Sequence, residues 1–228
     1  MELAKRVKLD KKRINMQLVV ISIGLVLLMI FFSLNTDKFL TQRNPLNIAL
    51  QTSVAVLLAI AETHVIITGG IDLSIGSISA VAGMTAALAI NQGMSVTVSI
   101  FLGLLTGVAC GALNGLTVTV LGIVPFIATL GTNSIMRGLI YVMLNGIPLS
   151  ASSAGEAFTW IGQGKLGGWL PYPVLFMTVI AVIAVIVMKK SKFGRMIFAI
   201  GSNEDAAFLS GIKVKMVKFK VYLLCGFL

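Results

Sequence analysis

Long apolar runs alternate with short polar breaks along the chain. The runs lie at about 18–34, 48–67, 75–90, 95–121, 126–144 and 173–188, and a further one starts near residue 216. A helix needs roughly 20 apolar residues to cross a bilayer. The pattern therefore predicts an all-α fold: a polytopic bundle of transmembrane helices with six spans and the start of a seventh. The third run is short, which suits a tilted, broken or partly re-entrant helix.

The runs differ in what they can face. The first, Leu18 to Leu34, is interrupted only by Ser22, Gly24 and Ser33, so it can meet lipid on all sides. It is longer than the apolar region of a signal peptide and no small-x-small cleavage site follows, so it reads as an uncleaved span. The second run holds Gln51, Thr52, Ser53, Glu62, Thr63 and His64. A central acidic residue costs about 2.5–3.5 kcal/mol, against about 0.3–0.6 kcal/mol returned by each large aliphatic residue. This helix is expected to be interior. Gln51 and Glu62 share a helix face and His64 points away from them. Glu62 fits either a polar stripe on a transport path or an interhelical hydrogen bond. Gln51 and His64 fit the hydrogen-bonded reading better, and His64 has no nearby His or Cys with which to hold a metal.

The fourth run contains GLLTGVACGALNG, in which Gly103, Gly107, Gly111 and Gly115 recur every fourth residue. Small residues at this spacing let two helix backbones approach closely. Asn114 beside them reads as interhelical glue. Between the second and third runs stands ITGGIDLSIGSIS, Ile67 to Ser79. Gly69 and Gly70 end one helix through left-handed backbone angles. Asp72 or Ser74 is expected to cap the next by accepting from its free N–H groups.

Composition agrees with the membrane reading. Of 228 residues, 57% are hydrophobic and only 11% are charged, and the mean hydropathy is +0.99, too little charge to cover a soluble domain of this size. The net charge of +10 does not point to nucleic acid, because the cations sit beside apolar runs. Six are in the N-terminal tail (Lys5, Arg6, Lys8, Lys11, Lys12, Arg13) and eight lie between Lys189 and Lys220. Basic residues of this kind mark cytoplasmic loops. Six crossings return the chain to its starting side, so parity and charge agree. The expected organisation is a cytoplasmic tail over 1–17, a bundle over 18–188, a cytoplasmic loop over 189–215 and a new span from 216 to 228. Segment 145–172 falls outside, where Trp160, Trp169 and Tyr172 suit the membrane interface. Its GQGKLGG lacks the spacing of a phosphate loop. Cys110 and Cys225 belong to no metal or disulfide pattern.

Three stretches carry a family resemblance. VIITGGIDLSIGS (Val65 to Ser77) resembles the signature of the permease subunits of ribose-type ABC sugar importers. VPFIATLGTNSIMRGLIYV (Val124 to Val142) and FGRMIFAIGSNEDAAFLSGIKV (Phe193 to Val214) resemble two further blocks of that family, in its order and spacing. The resemblance implies a type II ABC importer-like helical bundle from which the C-terminal spans are missing. His64 departs from the apolar or aromatic residue usual there. In the third block, Ser202 and Asp205 are expected to form a capping box. Asn203, Glu204, Asp205, Ala206 and Ala207 would make a short helix closed by Gly211. DAAFLSG resembles the EAA loop that seats in the ATPase of such systems, with Asp205 in place of the usual glutamate and small Ala206 and Ala207 on the docking side.

The resemblance implies an importer permease of the bacterial inner membrane with a cytoplasmic N-terminus, moving a monosaccharide or similar polar solute. Its partners would be an ABC ATPase, an extracytoplasmic solute-binding protein, a second permease copy and membrane lipid, with no nucleic acid. The chain has no Walker A lysine, so it is not expected to be an enzyme or to carry a cofactor. ATP and Mg would sit on the ATPase. Two rivals are a proton-coupled secondary transporter using Glu62, His64 or Asp72, and a non-transporting scaffold.

Overall fold

The structure, a computed structural model, describes residues 2–41, 43–147 and 156–228. The chain divides into two compact units, Met1–Ile48 and Ala49–Leu228. Helix α1 spans Glu2–Asn35, so the helix runs back from the first apolar run through the basic tail. Leu, Ala and Lys of the tail are good helix formers, and nothing there breaks the backbone.

Each remaining apolar run is a helix: α2 Asn44–Ile67, α3 Ile75–Asn91, α4 Val96–Thr119, α5 Pro125–Met143, α7 Tyr172–Lys190 and α10 Val214–Phe227. Between α5 and α7 lie α6, Glu156–Gln163, and a two-stranded hairpin pairing Lys165–Leu166 with Leu170–Pro171. The basic segment holds α8, Lys192–Ser202, and α9, Glu204–Leu209. Helix α8 corrects the expectation of a loop with one short helix. Ser191 caps it by accepting from Gly194 N, and Phe193, Met196, Ile197 and Ile200 recur at helical spacing.

Among the described residues, four helices are long and apolar enough to cross a membrane: Leu18–Asn35, Asn44–Ile67, Val96–Thr119 and Tyr172–Lys190. Helix α3, with 17 residues, reaches about 26 Å at 1.5 Å per residue, short of the ~30 Å hydrocarbon core. Helix α5 is diluted by Thr129, Thr132, Asn133, Ser134 and Arg137.

The glycine seam on α4 lets α3 and α10 approach its backbone closely. A Cβ at Gly103 would stand 2.9 Å from Ala82 O on α3. At Gly107 it would meet Gly226 O, at Gly111 Tyr222 O, and at Gly115 the Phe219 ring at 2.7 Å. Three of the four glycines therefore receive α10. Gly226 answers Gly107 from the other side. Two clusters complete the core. One joins Ala61 and Val65 of α2, Ile197 and Ile200 of α8, Ala207 of α9 and Val217, Val221 and Tyr222 of α10. The other joins Ile78, Val81 and Met84 of α3 to Cys110 of α4 and Met136 of α5.

The second helix is not interior along its length, contrary to expectation. Ser53, Ala61, His64 and Val65 are buried, while Val54 and Ile66 are more than half exposed. Ser53, Thr63 and His64 need little shielding because they bond to their own helix. Ser53 Oγ donates to Leu50 O at 2.7 Å, Thr63 Oγ1 donates to Ala59 O at 2.6 Å, and His64 Nδ1 lies 2.6 Å from Ile60 O.

Candidate functional site

Helix α2 ends in a Schellman motif. Gly70 N donates to Val65 O and Gly69 N to Ile66 O, at 3.1 and 2.9 Å, with Gly69 at φ +80°. Gly70 has no Cβ because the Tyr222 hydroxyl would stand 2.9 Å from one.

Asp72 organises the turn into α3. Its Oδ1 accepts from Ser74 N at 2.8 Å and from Ser74 Oγ at 2.5 Å. This corrects the Ser74 half of the capping expectation. Ser74 occupies the N-cap position of α3 but has helical angles, φ −94° and ψ −9°, and its side chain takes no helix N–H. A capping side chain needs extended backbone angles to turn back over its helix. The Ser74 hydroxyl turns to the carboxylate instead, and Asp72 closes a local turn before the helix.

Four other helices converge on this turn. From α4, Asn114 Nδ2 donates to Ser74 Oγ at 2.7 Å and to Asp72 Oδ2 at 3.3 Å. From α10, Cys225 Sγ lies 3.7 Å from Asp72 Oδ2. From α2, Glu62 Oε1 accepts Asp72 N at 3.0 Å. From α5, Thr129 Oγ1 accepts Leu73 N at 3.1 Å and lies 2.8 Å from Pro125 O, to which it donates.

Asp72 is 3% exposed, and Ser74, Asn114 and Thr129 are fully buried. Burying a carboxylate costs several kcal/mol. The Ser74 amide and hydroxyl, the Asn114 amide and the Cys225 thiol offset that cost, at about 1.5–3 kcal/mol for a good hydrogen bond to a charge. Among the described residues the one ion pair is Lys218–Glu204, so Asp72 is held by dipoles. Glu62 Oε2, Asn114 Oδ1 and Tyr222 OH are buried without a partner among the described residues.

The structure thus brings together Glu62, Gly69, Gly70, Asp72, Ser74 and Asn114, all singled out from sequence. Asn114 hydrogen-bonds from α4 to the turn before α3. Gln51 is exposed and His64 is buried on its own helix. Sequence reasoning missed Thr129, Tyr222 and Cys225. Thr129 lies inside the second motif block, which was the available signal. No group of three or more His, Cys, Asp or Glu among the described residues could hold a metal. The cluster ties the break between α2 and α3 to α4, α5 and α10.

A second candidate is the α9 knuckle. Its cap is Asn203, whose side chain accepts from Ala206 N at 2.8 Å, and not Ser202, which still belongs to α8. Asn203 has the extended angles a cap requires, φ −160° and ψ 111°. Glu204 pairs with Lys218 at 2.7 Å. Gly211 N donates to Phe208 O and Ile212 N to Ala207 O, a second Schellman closure with Gly211 at φ +85°. Ala206 is exposed, but Ala207 faces inward, 4% exposed, into the core cluster. The outward apolar residues are Phe208 and Leu209, 68% and 84% exposed. The inward side of Ala207 corrects its expected place on the docking side.

Residues 44–228 match the family described as branched-chain amino acid transport system / permease component. The ribose import permease protein RbsC of Bacillus subtilis (strain 168) is 38% identical over 228 residues, covering 98% of this chain and 70% of that protein. RbsC of Escherichia coli (strain K12) is 38% identical over 208 residues, covering 90% and 64%. The D-allose transport system permease protein AlsC of Escherichia coli (strain K12) is 37% identical over 205 residues, covering 88% and 61%. The chain thus spans between 61% and 70% of the length of these relatives. No solved structure gives a significant match. The chain is a multi-pass helical membrane protein that belongs to the branched-chain amino acid transport system / permease component family, where its resemblance is to ribose-type import permeases.

Proposed function

We propose that this chain is the transmembrane subunit of an ATP-binding-cassette importer for a monosaccharide or similar small polar solute. It sits in a bacterial inner membrane with six spans, the N-terminus and the α8–α9 segment on the cytoplasmic side. A separate ATPase supplies ATP and Mg, a solute-binding protein delivers cargo outside, and a second permease copy completes the path. The relatives named for ribose and D-allose support the solute class.

One observation supports the mechanism above others. Helix α10 joins the knuckle to the polar cluster. Near its start Lys218 holds Glu204 and Val217 shares a core with Ala207. Further on, Tyr222 stands against Gly70 and Cys225 against Asp72. From Val214 to Cys225 is about 16 Å of continuous helix. Motion imposed on Phe208 and Leu209 would reach the break between α2 and α3 through one rigid element.

The test is co-expression with the ATPase. Leu209→Arg should abolish co-purification while the chain still inserts in membranes, and unchanged co-purification would refute the docking role. Solute uptake in vesicles that persists without ATP under an imposed proton gradient would favour the secondary-transporter reading instead.

A further inference from the structure

A groove of about 680 Å³ runs between α4, α7, α8 and α10. Its walls are Val108, Val187, Phe193, Met196, Leu223, Leu224 and Phe227, with Lys192 and Lys220 as the only charged residues in its lining. On α10, Lys220, Leu223, Leu224 and Phe227 stand at i, i+3, i+4 and i+7 and so form one stripe, cationic at one end and apolar along the rest. On α8, Lys192 and Met196 repeat that order one turn apart. Lys220 is the last cation before the apolar end of α10, and Lys192 lies just past the end of α7. Both therefore lie where apolar helix gives way to the basic segment, the level of lipid headgroups. Both lysines are exposed, and neither forms an ion pair among the described residues.

We propose that this groove binds an anionic phospholipid, its phosphate between Lys192 and Lys220 and an acyl chain along Leu223, Leu224 and Phe227. Charge selects this occupant. An apolar helix laid over the groove, from a further span or a second copy, would strip water from two unpaired ammonium groups, which is costly. A lipid phosphate supplies the counter-charge, and basic pockets between transmembrane helices take anionic headgroups for this reason. The lipid would brace the face of α10 beside the seam. The inference rests on membrane insertion alone and not on the solute carried, so its failure would leave the transport reading to the uptake assay.

The experiment is native mass spectrometry of the full chain, purified in mild detergent and offered phosphatidylglycerol or phosphatidylcholine. Phosphatidylglycerol should remain bound at least tenfold more than phosphatidylcholine. Lys192→Gln with Lys220→Gln should remove that preference, while Lys213→Gln with Lys215→Gln, in the same basic segment but outside the groove, should keep it. Leu223→Trp, which fills the groove, should lower retention of both lipids. Equal retention of the two lipids by the parent chain would overturn the proposal. So would an undiminished preference in the Lys192/Lys220 variant, or a dimer that forms with no lipid retained.

Discussion

Gly111→Ala tests the glycine seam, because two opposing effects can be weighed there. Alanine in place of glycine within a helix is worth about 1 kcal/mol in propensity. At Gly111, however, the new methyl would meet Tyr222 O, with Gly226 Cα at 3.1 Å and Gly226 N at 3.2 Å. All three are backbone atoms, so no rotamer change relieves the contact and α10 must move off α4. Overpacking of this kind costs about 1–3 kcal/mol. With the contact at the unyielding end of that range, the net loss is about 2 kcal/mol, or roughly 30-fold in the opening equilibrium. Gly131→Ala is the control, since a Cβ there meets nothing within 4 Å and only the propensity gain remains. The chain carries its own reporters: Cys110 and Cys225 are its two cysteines, 5% and 4% exposed. When opening is fast relative to modification, maleimide labelling tracks the open population. Gly111→Ala should label roughly 30 times faster than the parent, and Gly131→Ala no faster. Parental labelling rates in Gly111→Ala would mean that the α4–α10 crossing does not exist in the folded protein.

The same labelling assay should show Asn114→Leu destabilised by about 2–3 kcal/mol, because it leaves the buried Asp72 and Ser74 without the α4 donor; a loss below about 1 kcal/mol would remove Asn114 as the tie. Asn203→Ala should cost about 1 kcal/mol and speed amide exchange across 204–209, whereas Lys218→Met should cost less than about 1 kcal/mol, since its partner Glu204 is 54% exposed. Ala207→Arg should lower the melting temperature of the purified chain, by placing a cation in the core cluster. An unchanged melting temperature there would place Ala207 on the outer side after all.

Helix positions were legible because long apolar runs have few other uses, and α2 to α5, α7 and α10 fall within a few residues of the runs. Helix α8 was legible too, from Ser191 and the spacing of Phe193, Met196, Ile197 and Ile200, but its charge drew the reading toward a loop. The direction of small residues was not. Ala206 and Ala207 look alike in sequence, and only the arrival of Val217 and Val221 decides which is covered. Partners distant along the chain left no local mark: Cys225 lies 153 residues from Asp72, and Thr129 lies 56 from Leu73. Glycine spacing announced a close crossing on α4 without naming α10 as the helix that fills it.

The three motif blocks, separate in sequence, prove to be parts of one contact system. The first supplies the break and Asp72. The second supplies Thr129, which holds the break at Leu73 and ties it to α5. The third supplies Ile197, Ile200 and Ala207, which share a core with Ala61 and Val65 at the end of α2. Helix α10 meets the first and third of the blocks, with Tyr222 and Cys225 against Gly70 and Asp72 and Val217 and Val221 packed with Ala207. It can lie so close only because Gly107, Gly111 and Gly115 leave it room, and it reaches Asp72 only once seated there. The seam is thus a condition for the polar cluster: moving α10 off the glycines would withdraw Cys225 from Asp72 and Tyr222 from Gly70 together. A carboxylate held by dipoles alone is sensitive to such a shift, because each lost donor restores part of the burial cost of its charge. Under the proposed mechanism, that sensitivity would let movement at the α9 knuckle act on the break between α2 and α3, where an apolar contact of the same area would merely slide.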